Sequence, residues 1–190
     1  MPRTPEQAEQ WLRNKKTNVV DECQLTQREA YGVDSNGDGT AYIDWQKSQH
    51  KFGPKETPWK GVEHRWGPHG SNTAGHVAFG VDDKGTILST DWPTAGHIGE
   101  TTVDELSQKW YGGKANYLGF TSDIDGVVVA PKPKPPVPPK PEIVWHTMQF
   151  NRLAFRTAKT LHLTWKKFHE LNPTIKRLTR LKKGQKVRIK

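Results

Sequence analysis

Residues 75–92 read GHVAFGVDDKGTILSTDW. Two runs rich in apolar and β-branched residues, HVAFGV and TILSTD, flank DDKG, and that order signals an antiparallel hairpin. With the turn centred between Asp83 and Lys84, His76 and Asp91 lie equally far from it and face each other across the two strands. Cβ atoms of such a pair sit about 5 Å apart. An imidazole beside a carboxylate is held in one tautomer and one orientation. A slip of one residue would send the two side chains to opposite faces.

Helix signals surround the hairpin. Residues 4–14 form a short helix with Thr4 as N-cap and Pro5 at the first helical position. A second helix starts at Asp21, reads DECQLTQREAYG and stops near Gly32. A turn-rich DSNGDG follows, then a helix through Tyr42, Trp45 and Lys47. From Gly53 to Gly75 glycine, proline and histidine dominate, which reads as loop. Beyond the hairpin, TVDELSQKWYG is a helix with Thr102 as cap and Glu105 completing a capping box. Two short strands, NYLGFTS and GVVVA, close the region. Helices first, then a small antiparallel sheet with one inserted helix, make an α+β plan.

The chain has one cysteine, Cys23, so no internal disulfide framework or cysteine zinc finger is available. Its predicted place in the first turn of a helix favours a thiolate, through free backbone amides and the positive end of the macrodipole. Asp21 and Glu22 oppose this, because negative neighbours raise a thiol pKa. A helix terminus carrying Cys23, set against strands carrying His76 and Asp91, is a workable Cys–His–Asp acyl-transfer site. The same residues also read as a packed core cysteine and a satisfied histidine. Asp34, Asn36, Asp38 and Thr40 stand at positions 1, 3, 5 and 7 of a calcium loop, although position 12 is Trp45 rather than a bidentate Glu. His64, His69 and His76 with Cys23 match no tight zinc spacing. Trp59, Trp66 and Trp92 fall in predicted loops, where they stack on a substrate or cover a small core.

Charge divides the chain. Residues 1–130 hold 13 basic and 18 acidic side chains, net −5, while 131–190 hold 16 and 2, net +14. A basic back half seeks a polyanion such as nucleic acid, an anionic membrane surface or an acidic wall polymer. Between the halves APKPKPPVPPKPE, residues 130–142, carries seven prolines and three lysines, the composition of a stiff extended spacer. The expected division is therefore a domain over 1–129, a linker over 130–142 and a small domain over 143–190. No stretch reaches the roughly 18–20 apolar residues of a membrane span, and the N-terminal residues lack the apolar core of a signal peptide.

The first region resembles the CHAP/NlpC-type cysteine peptidases and amidases, and is most similar to endolysin-like forms of actinobacterial phages. The likeness rests on CQLTQREAYGV at 23–33, the tryptophan helix, GHVAFGVDDKGTILSTDW and YLGFTSDIDGVVV at 117–129. It implies a papain-like domain with Cys23 as nucleophile, His76 as base and Asp91 as third member. It also implies cleavage of peptidoglycan as an N-acetylmuramoyl-L-alanine amidase or an endopeptidase, with no cofactor needed for the acyl transfer. Calcium near the nucleophile occurs in some members. The tail is similar to a LysM module, a βααβ unit that binds N-acetylglucosamine-containing glycans, through WHTM, RLAFRTAKTLHL, TWKKFHELNPTI and LKKGQKVRIK. Asn151-Arg152-Leu153 stands where the module usually has Gly-Asp-Thr.

The whole reads as a monomeric, phage-encoded wall hydrolase made in the host cytoplasm. Its expected partners are peptidoglycan, a glycan bound by the tail, and anionic wall polymers rather than nucleic acid. Two rival readings remain from the sequence: a non-catalytic wall-binding or virion structural protein with a degenerate CHAP fold, and a zinc amidase.

Overall fold

The computed structural model describes residues 1–134 and 143–190, in two compact units, Met1–Lys134 and Pro135–Lys190. Most of the proline run, 135–142, lies outside the described residues. Ala130, at the head of the expected linker, belongs instead to the first unit. It is buried, and its carbonyl accepts the Trp59 indole N–H at 2.9 Å.

The first unit opens with α1 (Pro5–Lys15), whose Thr4 cap and Gln7 side chain form the reciprocal capping box. Helix α2 (Cys23–Tyr31) ends at Gly32, which takes the left-handed conformation that lets a chain leave a helix without a Cβ clash. Its N-cap is Glu22, one residue later than the sequence reading, so Cys23 is the first helical residue. Helix α3 (Ala41–Lys47) is capped by Thr40, which accepts from the Ile43 amide. A mixed α+β plan with a mostly antiparallel sheet follows.

Six strands form that sheet: β1 (Lys51–Phe52), β2 (Glu63–Trp66), β3 (His76–Gly80), β4 (Thr86–Thr90), β5 (Ile98–Thr102) and β6 (Tyr117–Thr121), in the order β1-β6-β2-β3-β4-β5. Every pairing in this sheet is antiparallel. Helix α4 (Val103–Trp110) is capped by Thr102, but Glu105 accepts from the Thr101 hydroxyl rather than closing the expected box. A second hairpin, β7 (Asp123–Ile124) with β8 (Val127–Val128), lies outside the main sheet. Strand β2 is central and wholly buried, where the sequence reading had placed loop.

The hairpin pairs Phe79 with Leu88 and Gly80 with Ile87, the expected register, but β4 ends at Thr90, short of Asp91. Neighbours on a strand feed different cores, as alternation requires. Phe79 and Leu88 pack with Leu12, Tyr31 and Phe120, while Ala78 and Ile87 pack with Trp66, Leu106 and Tyr111. Each large apolar side chain so buried contributes about 1.5–3 kcal/mol. Between the helices and β2 runs a polar layer in which buried Arg65 meets Asp44 at 2.6 Å and the Gln24 amide oxygen at 2.9 Å.

The second unit has the order β9 (Trp145–Thr147), β10 (Arg152–Leu153), α5 (Ala154–Thr160), α6 (Trp165–Leu171), β11 (Arg180–Leu181) and β12 (Lys186–Arg188). Strand β9 pairs with β12, and β10 with β11. Met148, Ala154, Ala158, Phe168, Leu181 and Val187 form its core, with Ile189 half-buried against them. Phe150, expected in that core, is about half exposed. No helix among the described residues is long and apolar enough to cross a membrane.

Candidate active site

Cys23 and His76 line one cavity of about 510 Å³, together with Asp91, Trp110 and Tyr111. The fold explains their meeting. Helix α2 packs on β3, and Cys23 clusters with Val77, the neighbour of His76, and with Ala41. Gln24, the next residue, anchors the helix start by donating to Asp44 at 2.9 Å and to Asp125 at 2.6 Å.

Asp91, the expected third member, lines the same cavity, but its hydrogen bonds go elsewhere than His76. Thr90 ends β4, and Asp91 takes a left-handed φ of 58° that breaks the strand. Its carboxylate turns to the Asn18 amide at 2.9 Å, the Gly96 N–H at 2.7 Å and the Asp21 N–H at 3.2 Å. Asp91 therefore ties the segment before α2 to the loop after β4, and it makes no hydrogen bond to His76. Buried Ser89 makes that bond instead, with Oγ 2.9 Å from His76 Nε2. The Ser89 hydroxyl donates to the Thr90 carbonyl at 3.0 Å, so toward the imidazole Oγ accepts. With Oγ accepting, the tautomer that bonds Ser89 carries its proton on Nε2 and leaves Nδ1 as the basic nitrogen. Ser89 lies on β4 two residues before Asp91, and its short hydroxyl was a weaker sequence signal than a carboxylate.

Burial reverses the expected thiol electrostatics. It pushes the Cys23 thiol up to about 11, against the pull of the Val77 and Gln24 amides and of Arg65. The same burial lowers His76 to about 4, with Asp91 acting the other way. The resting pair is thus a neutral thiol and a neutral imidazole. Tyr111 stacks on His76 with ring centroids 5.6 Å apart, and burial, reinforced by the charge of Cys23, raises its phenol.

Alkylation should follow this environment. Because the thiol sits two units above its ordinary 9.0, iodoacetamide should label Cys23 at pH 7 about 100-fold more slowly than a free thiol. The rate should climb about tenfold per pH unit to pH 10. Labelling as fast as free cysteine at pH 7 would show that burial does not control this group. Slow labelling fits a nucleophile and a packed residue alike, so turnover, not reactivity, separates them.

The three tryptophans expected at the substrate are core residues. Trp59 packs edge-on against Phe52 and Phe120, Trp66 donates to Ser107 Oγ at 2.9 Å, and Trp92 packs on Trp110. All three are at least nine-tenths buried, and their ring faces are taken. Trp110, half-buried, is the indole at the cavity.

The calcium-loop residues do not converge either. Asp34 is exposed, Thr40 caps α3, and Asn36 bonds to Asp38 through its side chain. Asp38 joins Asp44 and Asp125 in a group whose donor atoms lie within 4.8 Å. Each of these carboxylates already meets a cation: Lys47, Arg65 and Arg28 respectively. The cationic partners offset the charge of all three carboxylates. Among the described residues, His64, His69, His76 and Cys23 form no metal cluster.

No family model, curated protein or solved structure matches this chain.

Proposed function

We propose that the first unit is a cysteine hydrolase of papain-like, CHAP/NlpC type that cleaves an amide bond of peptidoglycan, and that the second is a LysM-like wall-binding module. The observation that carries the reading is the shared cavity of Cys23 and His76, with His76 Nε2 held by Ser89. In this reading Nδ1 takes the thiol proton as sulfur attacks the amide carbonyl, and the resulting imidazolium gives it to the leaving amine. The amide of Cys23, first of the helix, donates to the tetrahedral oxyanion. Water entering the cavity then releases the acyl group, with His76 again as base. A neutral resting pair suits this course, since charge separates only when a substrate is in place.

The two helices of the second unit, flanked on each side by two short strands, and its thirteen basic side chains against one acid over 143–190 support a wall-binding role. Incubation of the protein with purified actinobacterial peptidoglycan tests the proposal, with fragments read by mass spectrometry. New free amino groups are expected, and their masses distinguish amidase from endopeptidase. Co-sedimentation with the wall but no fragments would leave a binder and overturn the hydrolase.

Ser89→Ala should separate positioning from folding. Loss of the acceptor frees the imidazole to rotate and change tautomer, so kcat should fall about 10–100-fold with KM nearly unchanged. Thermal stability should fall by only about 1 kcal/mol. An unchanged kcat would remove Ser89 from the site.

A further inference from the structure

We propose that the second unit carries a groove for a phosphodiester-linked wall polymer, a chain of polyol phosphates, rather than for neutral glycan alone. This rests on the wall-binding reading above and names the ligand class. The groove measures about 870 Å³ and is lined by Phe150, Arg152, Phe155, Arg156, Lys159 and Arg180. Four of these are cations, and no acid lines the groove. Over 143–190 the one carboxylate side chain is Glu170, which lies 3.8 Å from Lys167 on α6 and does not line the groove. Like charges gathered without counter-charge raise the energy of the free protein, and a bound polyanion removes that cost.

The groove is built as well as charged. Arg152 and Arg180 sit on the paired strands β10 and β11. Arg152 lies 4.6 Å over the Phe150 ring and donates to Thr160 Oγ1 at 2.5 Å. Arg156 and Arg177 both lie 5.9 Å from the centre of Phe155. A stacked guanidinium loses little freedom on binding, and its fork matches the oxygens of a phosphate. Three of the four lining cations are arginines, which favours phosphate over a scattered set of carboxylates. Nucleic acid is the competing polyanion, which would stack its bases on open aromatic faces, and the oligonucleotide comparator below separates the two. Arg152 stands in the Asn151-Arg152-Leu153 segment that replaces the usual Gly-Asp-Thr of the module it resembles, so the departure in sequence falls at the groove.

The test is equilibrium binding of the full chain to a synthetic glycerol-phosphate decamer at about 50 and 150 mM salt. An N-acetylglucosamine hexamer and a thymidine decanucleotide serve as comparators. The variant Arg152→Gln/Arg156→Gln/Arg180→Gln should lose about 30-fold in affinity for the polyol phosphate and about 2 units of its log–log salt slope. The charge-matched control Lys166→Gln/Lys167→Gln/Lys190→Gln should lose less than about threefold. The single exposed change Arg156→Gln should lose about threefold, which keeps the test open if the triple variant misfolds. No binding of the polyol phosphate by wild type, equal losses in groove and control variants, or tighter binding of the oligonucleotide would each overturn the proposal. None of these readouts needs hydrolysis, so a failure here and a failure of the hydrolase reading are distinct.

Discussion

Cys23→Ala is expected to abolish fragment release from peptidoglycan, a loss on the order of 10⁴-fold or more, because the proposed acyl intermediate forms on its sulfur. Structural damage does not explain a loss of that size. The side chain packs only in a small cluster with Ala41 and Val77, and removing one sulfur from it costs about 1–2 kcal/mol. The variant should melt close to wild type and still sediment with the wall. Cys23→Ser gives a second check, since it nearly conserves volume. A hydroxyl beside a neutral imidazole is a far weaker nucleophile than sulfur, and the Ser variant should also be inactive. If both variants release fragments at the wild-type rate, Cys23 is a packed core residue and the catalytic reading fails with it. If wild type itself is inactive while all three proteins bind the wall, the non-catalytic reading takes its place.

The parts of this architecture that were legible in the sequence are those whose signals are local. Thr4 caps α1 with Pro5 at its first position, Gly32 ends α2, Thr102 caps α4, and DDKG sets the hairpin register. Strand β2 was illegible for the opposite reason. Its residues, Glu63-His64-Arg65-Trp66, show no alternation of apolar and polar character, yet all are buried. What makes their burial tolerable is distant in sequence: Asp44 and Gln24 for Arg65, the Tyr117 hydroxyl 2.7 Å from His64 Nδ1, and Ser107 for Trp66. The site divides in the same way. Cys23 and His76 announce themselves at a helix start and a strand start. That Ser89 rather than Asp91 hydrogen-bonds His76 depends on a left-handed turn fixed by Asn18 and Gly96, and no local pattern writes that turn. The tryptophans misled because β2 and its neighbours convert what looked like exposed loop into core.

That same buried strand carries the largest expected dependence of stability on pH. Glu63 lies opposite Phe79 and Thr121, fully buried, with neither carboxylate oxygen hydrogen-bonded among the described residues. Burial raises its pKa to about 8; the Arg65 charge offsets part of that rise and Asp44 adds to it. Below pH 4.5 the group is protonated folded and unfolded alike and contributes nothing to the difference. Between 4.5 and 8 the unfolded chain releases the proton and the folded chain keeps it, so stability falls as pH rises. The loss reaches about 3 kcal/mol by pH 7. His64 and His76 act on the acid side. Burial lowers them to about 3 and about 4, so the unfolded chain takes up their protons first, and stability falls as pH drops below 6.5. The Cys23 thiol, raised from 9.0 to about 11, weakens the fold only above pH 9. Between pH 6.5 and 8 the Glu63 slope therefore stands clear of these three groups. Glu63→Gln keeps the shape and removes the proton, so its melting temperature should exceed wild type by roughly 5–10 °C at pH 8. At pH 4.5 the two should agree within about 2 °C. Parallel melting curves across that range would mean that Glu63 ionises freely in the folded protein, through water or a cation reaching the strand.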